Sequence, residues 1–99
     1  MKYFMVEGIL KNPNKIDDTI MKEHMDYTQK AMDKGLILMS ALKSDMSGGL
    51  FVMKSESIER LNEYLSNEPF KTYDIQDYKI VEFDAHYFNQ SPSEWFEKL

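Results

Sequence analysis

The order strand, helix, strand, strand, helix, strand along 99 residues predicts an α+β fold: an antiparallel sheet with two helices on one face, the ferredoxin-like βαββαβ sandwich. Three observations lead there. Runs of alternating character flank two stretches with a helical period. Turn and cap residues, Asn12-Pro13-Asn14, Gly35, Gly48-Gly49 and Pro69, punctuate the junctions. The first three strands carry apolar residues on both faces, more than two helices can cover, so a second copy packed on the open sheet face is expected.

Residues 2–10 alternate Lys2, Phe4, Val6, Gly8 and Leu10 with Tyr3, Met5, Glu7 and Ile9, and Asn12-Pro13-Asn14 ends that strand. Residues 15–34 read as a helix with Asn14 as N-cap, Asp17 and Asp18 in its first turn, Lys30 and Lys34 in its last, and Gly35 at C′. Ile16, Ile20, His24, Tyr27 and Ala31 fall on one side, extended by Met21, Met25 and Met32. The apolar run 36–42 reads as a strand buried on both faces, paired through Gly48-Gly49 with residues 50–53. Ser55 or Ser57 caps a helix over 56–66, with Ile58, Leu61 and Leu65 buried, and Asn67-Glu68-Pro69-Phe70 stops it. Residues 71–76 are expected as a loop and 77–88 as the last strand. Ser91-Pro92-Ser93-Glu94 is a capping box that opens a final turn holding Trp95 and Phe96. The whole chain, 1–99, reads as one domain, with a core over 2–88 and an extension over 89–99.

Composition removes several functions. A net charge of −5 disfavours binding to the phosphate backbone of nucleic acid. The absence of cysteine removes disulfides and thiolate chemistry. No apolar run approaches the roughly 18 residues of a membrane span, and Glu7 stands too early for a signal peptide, so the expected location is cytoplasmic. Two histidines, with neither HxH nor HExxH spacing, give no metal site, and no glycine-rich phosphate loop calls for a nucleotide cofactor. Met 8, Phe 6, Tyr 6 and Trp 1 make up half of the 42 % apolar content. Most of the aromatics fall in residues 70–99, where they are expected to rim a pocket or meet a partner, with Tyr73, Tyr78 and Tyr87 as candidates.

Chemistry narrows to His24 and one carboxylate. His24 on the inner side of its helix is either a core-edge histidine satisfied by a carbonyl or a general acid/base, the role suited to a side chain that titrates near neutrality. The second role needs an orienting carboxylate. Glu68, trapped before a proline at a helix end and beside Phe70, is either a turn residue or that partner. His86, late in the last strand, has the weaker case.

The opening strand, the mid-helix His24, Lys34-Gly35 leading into an apolar strand, the hairpin, the Ser-capped helix and a DPF-like tetrapeptide, Asn67-Glu68-Pro69-Phe70, together resemble the YciI-like (YCII-related) family over residues 2–88. The resemblance implies a dimeric α/β barrel, a homodimer joined through the sheet face. It also implies a His–carboxylate pair between helix and sheet, here His24 and Glu68, and no cofactor. Ser40, Phe70 and Tyr73 are the lining candidates. Two departures stand out: Glu68 is one methylene longer than the family's aspartate, and Ser40-Ala41-Leu42 replaces a small glycine, which narrows the pocket. The implied function is proton abstraction with elimination or isomerisation of a small organic acid; the alternative is a non-catalytic dimer that binds a small ligand or serves a structural role. The extension 89–99 is expected to lid the pocket or pack on the dimer mate.

Overall fold

Alternation decides which side of the sheet meets the helices. Along β1 (Lys2–Leu10), Phe4, Val6 and Gly8 are buried while Tyr3, Met5 and Ile9 are exposed. The computed structural model describes residues 1–97. A 3-10 turn at Pro13–Lys15 leads to α1 (Asp18–Asp33), β2 (Ile37–Leu42), β3 (Gly49–Ser55), α2 (Ile58–Ser66), the one-turn α3 (Pro69–Thr72), β4 (Gln76–Phe83) and α4 (Pro92–Glu97). The four strands are antiparallel in the order β2-β3-β1-β4. This is the expected α+β, ferredoxin-like arrangement.

Two apolar clusters fill the space between sheet and helices. Phe4, Val6, Ile37, Phe51 and Met53 from the sheet meet Ala31 of α1 and Leu61 and Leu65 of α2. Ile20, Phe70 and Ile75 form the second, with Leu10 and Ile16 packed against it. Each fully buried large side chain contributes about 1.5–3 kcal/mol, so these few residues carry most of the stability of a small core.

Several boundaries differ from expectation for local reasons. α1 starts at Asp18, not residue 15: Pro13 closes a 3-10 turn through Ile16 N–H to its carbonyl, and the Asp17 carboxylate, not Asn14, caps the helix by accepting from Ile20 N–H. Its far end is as expected. Gly35 (φ 74) turns left-handed, with Gly35 N–H bonded to the Met32 carbonyl and Leu36 N–H to that of Ala31, a Schellman closure. Met25 points outward at 61 % exposure rather than joining the stripe. β2 is an edge strand whose burial alternates, with a bulge at Leu38, so within one chain it is covered on one face only. Ser57 caps α2, which begins at Ile58, through a bond from Arg60 N–H. Pro69–Thr72 form α3, where residues 67–70 are expected only to stop α2 and 71–76 to be a loop, and β4 starts at Gln76 rather than 77. β4 ends at Phe83, not residue 88, because it pairs only with β1, whose start at Lys2 leaves 84–88 without a partner strand. The hairpin turn places Met46 (φ 64) and Gly48 (φ 150) at positive φ. A Cβ on Gly48 would stand 2.0 Å from the Gly8 carbonyl oxygen, so the turn packs directly on β1.

Candidate functional site

Glu68 and Gln76 are the buried polar residues among those described. Pro69 puts Glu68 in an extended conformation (φ −67, ψ 132), and Glu68 then caps α3, its Oε2 accepting from Phe70 N–H at 2.9 Å. A carboxylate that is 1 % exposed would destabilise the fold by several kcal/mol if left unpaired. It has two further donors. His24 Nδ1–H reaches Oε1, and the Tyr78 hydroxyl donates to Oε2 at 2.5 Å. The extra methylene of glutamate therefore does not prevent contact with the imidazole.

His24 sits one turn after the buried Ile20 on α1, and its side chain is 18 % exposed. Phe70, two residues after Glu68, stacks on the ring at 3.8 Å with a 5° interplanar angle. One short segment thus supplies both the partner and the platform of the imidazole. A carboxylate only accepts, so the neutral ring carries its proton on Nδ1 and leaves a lone pair on Nε2. Burial, and after it the Glu68 charge, pushes the Tyr78 phenol well above its ordinary range, which keeps it a donor to Glu68.

A cavity of about 240 Å³ opens beside this pair, bordered by His24, Phe70, Ser40, Gln76, Phe51 and Gly48. The remaining lining, including Leu10, Ile16, Met21 and Leu42, is apolar. Of the expected lining residues, Ser40 and Phe70 border it. Tyr73 does not: it closes α3 on the outside, 43 % exposed, with its phenol pushed up by the neighbouring Glu23 carboxylate. Tyr87 is 89 % exposed, and Tyr78 alone of the three tyrosine candidates reaches Glu68. His86 is exposed beside Tyr87, their ring centroids 4.3 Å apart, and has no carboxylate partner among the described residues. Trp95 and Phe96 pack edge-on against each other and are more than half exposed; residues 89–97 do not line the cavity. Lys98 and Leu99 of the expected extension lie outside the described residues.

Sequence reasoning missed Gln76. Its amide lies flat on Gly8, where an added Cβ would come within 2.6 Å of it. The available signal was a polar residue at the start of β4 in phase with Tyr78 and Ile80; the glycine its side chain covers, Gly8, stands opposite Tyr78 and two positions from the buried Val6. Among the described residues no group of three or more His, Cys, Asp or Glu gathers as a metal site, and no helix is long and apolar enough to cross a membrane.

The family profile of the YCII-related domain matches residues 1–84. No curated protein sequence matches the chain at a significant level. Among solved structures, the fold is similar to that of 5-chloro-2-hydroxyhydroquinone dehydrochlorinase from Burkholderia phenoliruptrix, determined with 2,5-dihydroxybenzoquinone. The match has a TM-score of 0.64 at 14 % identity and covers 85 % of this chain and 95 % of the other.

Proposed function

The chain belongs to the YCII-related domain family, and from that footing we propose that it is a small-molecule enzyme whose base is His24. The observation that carries this is the buried Glu68 carboxylate on Nδ1 of a ring that borders a cavity. In the proposed reaction Nε2 takes a proton from an acidic C–H or O–H of the substrate. In an elimination, the electron pair left behind forms a double bond, the leaving group departs with its own bonding pair, and the imidazolium passes its proton to water. In an isomerisation the imidazolium returns the proton to a different atom. Glu68 holds the tautomer and stabilises the imidazolium. The lining carries no Lys or Arg, which narrows the expected small organic acid to one whose acidity lies in an enol, phenol or activated C–H rather than a carboxylate. The dehydrochlorinase of similar fold has a name that falls in the elimination class.

The proposal includes a second copy of the chain on the uncovered sheet face. In its support, Met5, Ile9 and Val81 there are about half exposed, and Glu7 is already compensated by Lys43 at 2.6 Å and by Lys79 on the neighbouring strand. Light scattering on a size-exclusion column is expected to give twice 11.7 kDa.

The mostly apolar lining also favours a second reading, a ligand-binding dimer without catalysis. Chloride release and ring absorbance, followed on chlorinated hydroxyhydroquinones and enolisable ring compounds, separate the two. Turnover that falls by about 100-fold or more in His24→Ala is the expected result. Equal turnover in His24→Ala removes the dyad, and binding without turnover returns the second reading.

A further inference from the structure

Glu68 does more than orient His24: its charge fixes the direction of a chain of hydrogen bonds that ends in the cavity. Because the carboxylate can only accept, the single proton of the Tyr78 hydroxyl is committed to it, at 2.5 Å. The hydroxyl oxygen then has only lone pairs for its other neighbour, Gln76, whose Nε2 donates to it at 3.2 Å. That choice pins the amide, so Gln76 Oε1 must lie on the other side, toward Gly48, which borders the cavity. Gln76 is 2 % exposed, yet no donor among the described residues reaches Oε1. No sealed side-chain polar atom among the described residues lacks a partner, so Oε1 meets the cavity space.

Gly8 and Gly48 make this seat possible. A Cβ on Gly8 would press on all three terminal atoms of the amide, at 2.6–2.9 Å, and one on Gly48 would stand 2.0 Å from the Gly8 oxygen. A glycine of β1, a glycine of the hairpin turn and one buried amide are therefore a single arrangement.

We infer that Gln76 is a ligand-reading residue and that the cavity selects a small, uncharged molecule with two separate donors, an O–H or N–H for Gln76 Oε1 and an acidic proton for His24 Nε2. Both polar ends present acceptors because one buried carboxylate sets both. The Ser40 hydroxyl can donate or accept and adds no preference of its own. No cation lines the walls to welcome a carboxylate or phosphate. A volume of about 240 Å³ lies below the range of drug-sized pockets, roughly 300–1,000 Å³, and suits a single ring.

The inference rests on the dyad geometry but not on turnover, so it is tested by binding. The three dihydroxybenzenes are titrated against the full chain at millimolar concentration, each beside its dimethyl ether, with benzoate as the anion, and the shifts of the cavity resonances are followed by NMR. At least one diol is expected to bind about tenfold or more tightly than its ether and than benzoate, since an acceptor that loses its donor on binding is left buried and unpaired. In Gln76→Met that preference is expected to shrink by about tenfold. Equal binding of diol and ether by the wild-type chain, no diol binding at all, or a preference unchanged in folded Gln76→Met overturns the inference. The wild-type comparison needs no variant to fold. Diol selectivity in a protein that turns nothing over sinks the enzyme proposal and keeps this one; turnover without diol selectivity does the reverse.

Discussion

The two faces of the sheet are built from similar residues and treat polar groups in opposite ways. On the helix side, Phe4, Val6, Phe51 and Met53 are buried, and the Glu68 carboxylate is buried with His24, Tyr78 and Phe70 N–H as its donors. On the other side of the single chain, Tyr3, Met5, Ile9 and Val81 stay exposed, and Glu7 is partly exposed, its carboxyl held below the usual range by Lys43. A charge left partly in solvent needs one lysine partner and constrains little else. Where charge is buried, each neighbour is forced into a fixed role, and the proposed site rests on those roles.

The contrast breaks most visibly at Glu68. Glu68→Gln leaves the shape and removes the charge; its amide oxygen can keep the Phe70 and Tyr78 donors, while its NH2 meets Nδ1 and turns His24 to the tautomer with the proton on Nε2. A loss of about 3 kcal/mol is expected in chemical denaturation, because three bonds to a charged acceptor become neutral ones, together with loss of any activity that needs the Nε2 lone pair. Glu7→Gln on the other face is expected to cost much less, since a partly exposed ion pair contributes little. Equal effects at the two positions would erase the distinction between the faces.

The open face gives the next largest effect, in assembly rather than folding. Val81→Lys, on β4 opposite Met5, places a charge where a second copy is proposed to pack. The mass measured by light scattering is expected to fall to that of one chain, with secondary structure by circular dichroism unchanged. A wild-type chain that already runs at 11.7 kDa removes the proposed partner.

Tyr78→Phe sharpens the contrast from inside. It deletes the hydroxyl that donates to Glu68 and accepts from Gln76, and a loss of about 1.5–3 kcal/mol is expected for a bond to a charged group. His24 keeps its own bond to Oε1, so any turnover is expected to fall by less than in His24→Ala. A Tyr78→Phe loss as large as that of His24→Ala would mean that the imidazole does not act without the phenol, against the lesser part given to Tyr78 here.

These residues also show how far the chain could be read unaided. The strand and helix order, the Gly35 closure and a serine cap at either Ser55 or Ser57 were legible because each depends on neighbours in sequence; the structure chooses Ser57. The start of α1 was not, because Asn14 and Asp17 are both good caps and only the Pro13 turn chooses between them. Residues 84–88 alternate like a strand, but a strand needs a partner, and β1 has none left to offer them. At the site, Glu68 and Phe70 stood out from the Pro69 context and the resemblance. The choice of Tyr78 over Tyr73 and Tyr87 needed the register of β4 on β1, and the role of Gln76 depends on two glycines far from it in sequence.

The smallest effect is a slope with pH. Tyr27, Tyr64 and Tyr78 are all held above their ordinary value near 10, burial being the first cause and the Glu68 charge a further one in each. A phenol whose folded pKa is raised keeps its proton in the native state while the unfolded chain loses it. Below the unfolded value both states are neutral and stability is untouched; above it the unfolded state is favoured, progressively, until the folded value is reached. The exposed Lys11 and Lys22, raised by their carboxylate partners, lose stabilisation in the same direction but lie at the surface, where the effect is weak. Urea midpoints measured from about pH 9 to about pH 11 are therefore expected to fall, each tyrosine adding at most about 1.4 kcal/mol per pH unit. In Tyr78→Phe, which starts from a lower midpoint at neutral pH, one titrating group is gone and the fall is expected to be shallower. A fall of equal steepness in both chains would remove Tyr78 from the alkaline loss and leave it to Tyr27, Tyr64 and the surface lysines.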